Sequence, residues 1–123
     1  MEKIDLLITL THDEKEANNV TLAFAMGTNA ASKGKNVVLA LLSHAVAVAQ
    51  KGYADKIAIG DPFPPLKDLL PAFLEAGGKV KVCSACMKHN GVKEEDLIEG
   101  AEIINADYVV DALLSADKSF QLN

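Results

Sequence analysis

Short apolar runs alternate with longer amphipathic stretches along this chain. Ile4 to Leu10 reads Ile-Asp-Leu-Leu-Ile-Thr-Leu and predicts a largely buried strand, interrupted near its start by Asp5. Thr11 and Glu14 then have capping-box spacing. A helix is predicted from there to about Ser32, with Ala17, Val20, Phe24 and Ala31 toward the core and Gly34 as its stop. Asn36 to Leu42 carries Val-Val-Leu-Ala-Leu-Leu, too short for a typical helix and apolar enough for a strand covered on both faces. Ala45 to Lys51 reads as helical up to Gly52, and Asp55 to Ile59 as a third strand ending at Gly60-Asp61.

Pro62, Pro64 and Pro65 make a loop of the next segment. Leu66, Leu69, Leu70, Phe73 and Leu74 then recur at helical spacing up to Gly77-Gly78, with Pro71 inside the helix as a point of bending or division. Lys79 to Val82 predicts a fourth strand with Cys83 at its end. Ser84 to Asn90 gives one or two helical turns before Gly91, and Glu94 to Gly100 a further short helix. In the tail, Ala101 to Asn105 reads as a weak strand or turn, Ala106 to Ala116 as a helix and Ser119 to Leu122 as a last strand. Strands alternating with helices imply right-handed crossovers. The fold class expected is α/β, a three-layer α/β/α sandwich with a mostly parallel sheet of about five strands, and a single domain over residues 1–123.

Composition narrows the partners. Half of the residues are apolar, enough to close one core, while aromatics are only 5% with no Trp, so the packing must come from Ala, Val, Leu and Ile. A net charge of −5 argues against nucleic acid and anionic membranes, which need clustered Lys and Arg. No apolar run approaches the roughly 20 residues that span a bilayer, and no secretory signal pattern opens the chain, so a cytoplasmic location is expected.

Candidate chemistry follows from the topology, because open parallel sheets bind ligands beyond the carboxyl ends of their strands. The residues expected there are Thr11 and His12, Ser43 and His44, Asp61, and Cys83. Cys83 stands where a strand gives way to a helix, and the first-turn N–H groups of a helix favour a thiolate. Cys86, one turn on, is placed to resolve or protect a group carried on Cys83. The bland alternative is that both thiols fill space, as free cysteines often do. Cys83, Cys86 and His89 also follow C-x-x-C-x-x-H, with His12 or His44 as a fourth candidate, but a lone C-x-x-C lacks the second knuckle of a structural zinc site and no metal is assigned. The loop after the first strand has no glycine, so no phosphate-cradling loop or dinucleotide fingerprint is present and no cofactor is expected. No G-x-S-x-G elbow points to a serine hydrolase.

The stretch Gly77 to Gly100 joins a glycine turn, a strand ending in Cys83, a short helix, Gly91-Val92 and an acidic helix start. This pattern resembles the DsrE/DsrF-like proteins, small domains related to the sulfur-relay subunits of the DsrEFH and TusBCD complexes. Cys83, eight positions before Gly91, matches the family's sulfur-accepting cysteine. The resemblance implies sulfane sulfur carried as a persulfide on Cys83, exchange with donor and acceptor proteins, and assembly into homo-trimers or hexamers. It leaves open whether the chain is a carrier or a sulfurtransferase with turnover. The Cys83/Cys86 pair departs from relay subunits that have one reactive cysteine here, and a non-catalytic oligomeric module binding a small molecule or a protein is the alternative.

Overall fold

A computed structural model describes residues 1–123. Its strands are β1 (Leu6–Leu10), β2 (Val37–Leu41), β3 (Lys79–Cys83), β4 (Ala101–Ile104) and β5 (Lys118–Leu122). They form one sheet in the order β4-β3-β2-β1-β5, parallel throughout. The helices are α1 (Ala17–Ser32), α2 (Leu66–Glu75), α3 (Ser84–Asn90) and α4 (Ala106–Ser115).

The strand order explains the layers. From β1 to β4 the chain steps across the sheet in one direction, and right-handed crossovers keep the intervening helices on one side. Between β4 and β5 it returns to the opposite edge, and the same handedness puts α4 on the other side. Side chains follow this division. Ile8, Leu39, Leu41, Val80 and Val82 pack with Val20 and Phe24 of α1 and Phe73 of α2. Leu7, Val38 and Ala40, pointing the other way, pack with Ala112 of α4. The expected three-layer sandwich is what forms.

Several local expectations are corrected. Asp55 to Ile59 is not a strand. Tyr53–Lys56 is a 3-10 turn, and Ile57 is buried but offers its carbonyl to the Leu66 amide, closing a loop onto the start of α2. Both sides of β2 are already occupied by β1 and β3, so no adjacent slot remains for another strand. The segment after β2 is a 3-10 helix, Ser43–Ala49, in place of the α-helix expected from Ala45. The acidic stretch Glu94–Asp96 makes only one 3-10 turn, after which Leu97 bridges to Gln50. Thr11 is not the expected cap either. Its hydroxyl reaches the Leu122 carbonyl at 3.4 Å, and Asp13 accepts from the Lys15 amide at the head of a 3-10 turn, Glu14–Glu16, that leads into α1. Pro71 is carried within a continuous α2.

Gly78 allows α2 to lie close to β3. A Cβ added there would stand 2.3 Å from the Phe73 ring, which also fills the space over Gly27 of α1. Phe73 in turn meets Phe24 edge to face, with centroids 5.7 Å apart.

Candidate functional site

β2 and β3 are neighbours, so the segments leaving their carboxyl ends lie side by side. The residues involved are Ser43 and His44 after β2, and Cys83 followed by α3 after β3. Met87 roots α3 in the core, Gly91 ends it in the left-handed conformation, and Val92 packs below.

Cys83 is the N-cap residue of α3 and is only 6% exposed. Its side chain makes no capping hydrogen bond to the first-turn amides, contrary to the expectation that the helix start would receive the sulfur. The neighbouring thiol is that of Cys86, one helical turn on and near enough for Cys83 to shift its ionisation. Both cysteines are free. Burial first, and then the nearby Cys83 thiol, pushes the Cys86 thiol above its ordinary value of 9.0, while the Ser43 backbone N–H acts in the opposite sense. Cys86 is half-buried, and it lines a groove of about 310 Å³ together with Ser43, His44, Ala85, His89 and Asn90. Cys83 is not among the lining residues.

Asn90 holds this groove together. Its side-chain amide donates to the Cys86 carbonyl at 2.8 Å, one helical turn back, and to the Ser43 carbonyl at 3.3 Å, across from β2. Its Oδ1 lies 3.2 Å from Nδ1 of His44. With both donor contacts going to carbonyls, the amide orientation is fixed, and Oδ1 can only accept. The His44 proton therefore sits on Nδ1, which leaves Nε2 of the neutral ring as a free base. Ser43 is the one non-glycine residue with positive φ, at 54°, a conformation that the surroundings must hold in place.

The remaining sequence candidates lie elsewhere. His12 follows β1 at the same end of the sheet, half-buried, and does not line the groove. Asp61 belongs to an exposed turn with a cis bond to Pro62, and two residues later Phe63 packs beside Leu6 and Lys33, at the amino end of β1. It is not at a strand's carboxyl end, because the strand expected to carry it there does not exist. Cys83, Cys86 and His89, with His12 or His44, do not gather into a group able to hold a metal ion. Asn90 escaped sequence reading. Its one local signal was its place as a polar residue directly before Gly91.

A second recess, about 430 Å³, opens on the other side of β3, lined by Ser84, Ile103, Ile104, Asn105 and Tyr108. It lies between the ends of β3 and β4, where the chain leaves toward opposite faces of the sheet, which is the crevice that this topology favours for ligands. The thiol pair thus stands between two openings.

Comparison with known proteins agrees with the fold and with the resemblance. The profile of the DsrE/DsrF-like family matches residues 5–122. The protein MJ0989 of Methanocaldococcus jannaschii is 38% identical over 101 residues, 82% of each chain. MK0008 of Methanopyrus kandleri is 29% identical over 119 residues, covering 94% of this chain and 93% of its own. Among solved structures, the E. coli ychN protein superposes with a TM-score of 0.71 at 24% identity, over 98% of this chain and 99% of that one. MTH1491 of Methanobacterium thermoautotrophicum gives the same TM-score at 15% identity, over 97% and 99%. No helix is long and apolar enough to cross a membrane.

Proposed function

Because this chain belongs to the DsrE/DsrF-like family, we propose that it handles sulfane sulfur, accepting it as a persulfide on Cys83 and passing it to a partner protein. The observation that carries this reading is the pair of free, neighbouring thiols at the carboxyl end of β3, one of them at the strand's last residue and the other one helical turn on. Net uptake moves the outer sulfur of a donor R–S–SH onto Cys83, directly or by way of the neighbouring thiol. A new sulfur–sulfur bond forms on Cys83, the donor's breaks, and R–S⁻ leaves with the electron pair and takes up the proton. No oxidant is needed.

Cys86 guards the product in this reading. Were its thiolate to attack the inner sulfur of a Cys83 persulfide, HS⁻ would leave and a Cys83–Cys86 disulfide would close. Burial holds Cys86 in its protonated form and slows that loss. Exposure of the protein to a sulfane-sulfur donor, followed by intact-mass measurement, should show one added sulfur atom that maps to Cys83 in peptides. Absence of any adduct on either cysteine removes the proposal.

The burial of Cys83 favours a second reading, a binding module with two structural thiols. Alkylation against pH separates the two. A pair of uniformly slow thiols supports the module, and one fast thiol supports sulfur chemistry.

Assembly is part of the proposal. On α4, Val110 is 52% and Leu114 81% exposed, with Asp107 and Asp111 on the same helical face. On the opposite side of the sheet, Leu22, Ala25, Met26 and Phe63 line an apolar groove with Lys33 and Lys35 at its rim. The two surfaces match in apolar character and in opposite charge but cannot meet within one chain, so α4 of one copy seated on α1 of the next is the arrangement we favour. Such a head-to-tail contact builds a ring when the rotation between copies closes and a filament when it does not, and the closed ring is the form we propose.

A further inference from the structure

The two cysteines differ in what can reach them. Nucleophilic attack on a persulfide requires the donor's sulfur–sulfur bond to line up behind the attacking sulfur, and everything attached to that bond must find room. Cys83 is 6% exposed and lines neither of the two recesses beside it. Cys86 lines the groove on the β2 side, between Ser43, His44 and His89, and lies one helical turn from Cys83 at the end of β3. No carboxylate lines this groove. It therefore suits an anionic donor, flanked by two imidazoles and free of like charge.

Building on the persulfide reading of the previous subsection, we propose that Cys86 is the entry thiol and Cys83 the buried store, with His44 as the base that activates Cys86 and Asn90 as the residue that positions His44. The donor class is a low-molecular-weight or protein persulfide, R–S–SH. Nε2 of His44 takes the Cys86 proton, and the Cys86 thiolate attacks the outer sulfur. The donor's sulfur–sulfur bond breaks, R–S⁻ leaves, and it recovers the proton from the imidazolium as R–SH. Cys83 then attacks the outer sulfur of Cys86–S–SH. Its bond to that sulfur forms as the Cys86 bond breaks, its proton passes to the released Cys86 sulfur, and Cys83–S–SH remains beside a Cys86 thiol. Atoms, electrons and charge balance with no outside oxidant or reductant.

Asn90 is a positioning residue because it touches neither sulfur. Its amide ties the Ser43 carbonyl to the Cys86 carbonyl and presents Oδ1 to Nδ1 of His44, which fixes the tautomer. The same tie holds Ser43 in its left-handed conformation. The Ser43 backbone N–H acts to lower the Cys86 thiol and so favours a thiolate forming there.

The test uses the full chain and glutathione persulfide as the probe, with adducts located by peptide mass spectrometry over time. Wild type should carry the sulfur on Cys83, and Cys83→Ala should trap it on Cys86. Cys86→Ser should take it up at least about tenfold more slowly, and His44→Gln about a hundredfold more slowly at neutral pH, since a positioned base typically contributes that much. For His44→Gln and Asn90→Ala the uptake rate should climb more steeply with pH than in wild type, as Cys86 ionises unaided. Circular dichroism confirms that each variant is folded. Uptake by Cys86→Ser at the wild-type rate, or an unmodified Cys86 in Cys83→Ala, overturns the entry role while leaving sulfur handling intact. Stoichiometric HS⁻ release with disulfide closure overturns the store. Failure of wild type to gain sulfur anywhere removes the underlying reading instead.

Discussion

On one side of β3, Val80 and Val82 meet an apolar layer made by α1 and α2, whereas on the other side Lys79 and Lys81 meet Glu2, Glu102 and Tyr108. The first layer is thick and keeps Phe24 and Phe73 wholly from water. The second consists of one helix and the N-terminal segment. Lys81 is 4% exposed and the only charged residue buried in the chain. Its Nζ pairs with Glu102, stands 3.7 Å from Glu2, and lies 5.5 Å from the Tyr108 ring centroid. Lys79 and then Tyr108 hold the Glu2 carboxyl below its ordinary value, while burial and Glu2 push the Tyr108 hydroxyl up. One face is therefore held by packing and the other by a small ionic network under a thin cover. The thiol pair sits at the rim between them, with Cys83 at the end of β3 and Met87 of α3 in the core.

The largest effect is expected where packing alone is at stake. Phe73→Ala removes a ring that touches Phe24 and occupies the space over Gly27 and Gly78, and the resulting cavity should cost about 3–5 kcal/mol in urea unfolding. Lys81→Met keeps the length of the side chain and removes the charge. Glu102 is mostly exposed and Glu2 retains Lys79 and Tyr108, so both carboxylates stay solvated or paired, and the expected loss is about 1–2 kcal/mol. A Lys81→Met loss as large as that of Phe73→Ala would break the comparison, because the ionic face would then bear as much as the apolar one.

Part of this contrast was written in the chain. β1 and β2 announced themselves as short apolar runs because neither face of a central parallel strand meets water. β3, Lys-Val-Lys-Val-Cys, alternates, and the alternation records its two unlike faces. Asp55 to Ile59 had the composition of a strand, but a strand needs an open neighbour, and the order of the sheet is decided by the distant tail strands β4 and β5. At the site, Cys83, Cys86, Ser43 and His44 were legible through the rule that places ligands beyond strand ends. Asn90 was not. Its partners lie 46 and 47 residues away, and a side chain whose work is to join two separate loops leaves no spacing to read. The ranking of the two thiols was hidden for a similar reason, since burial of Cys83 depends on how α3 packs over the end of β3.

The smallest effect on the stability of a single chain should come from the outer surface of α4, and it sharpens the contrast most. Leu114 is 81% exposed and buries nothing within its own chain, so Leu114→Glu should change the unfolding free energy of the dilute protein by no more than about 0.5 kcal/mol. Its expected consequence is on assembly. Analytical ultracentrifugation should find the wild-type chain as a closed homo-oligomer and Leu114→Glu as a monomer. Lys33→Glu with Lys35→Glu should weaken assembly in the same way, and adding Asp107→Lys and Asp111→Lys should restore it, because the charges that face each other across the contact are then exchanged. A monomeric wild type, or an oligomer indifferent to Leu114→Glu, rejects the α4-to-α1 contact. If the contact stands, the thin layer over Lys81 is thickened in the assembly by a neighbouring copy, and the two faces differ in what covers them as well as in what they are made of: the chain's own helices on one side, and a partner on the other.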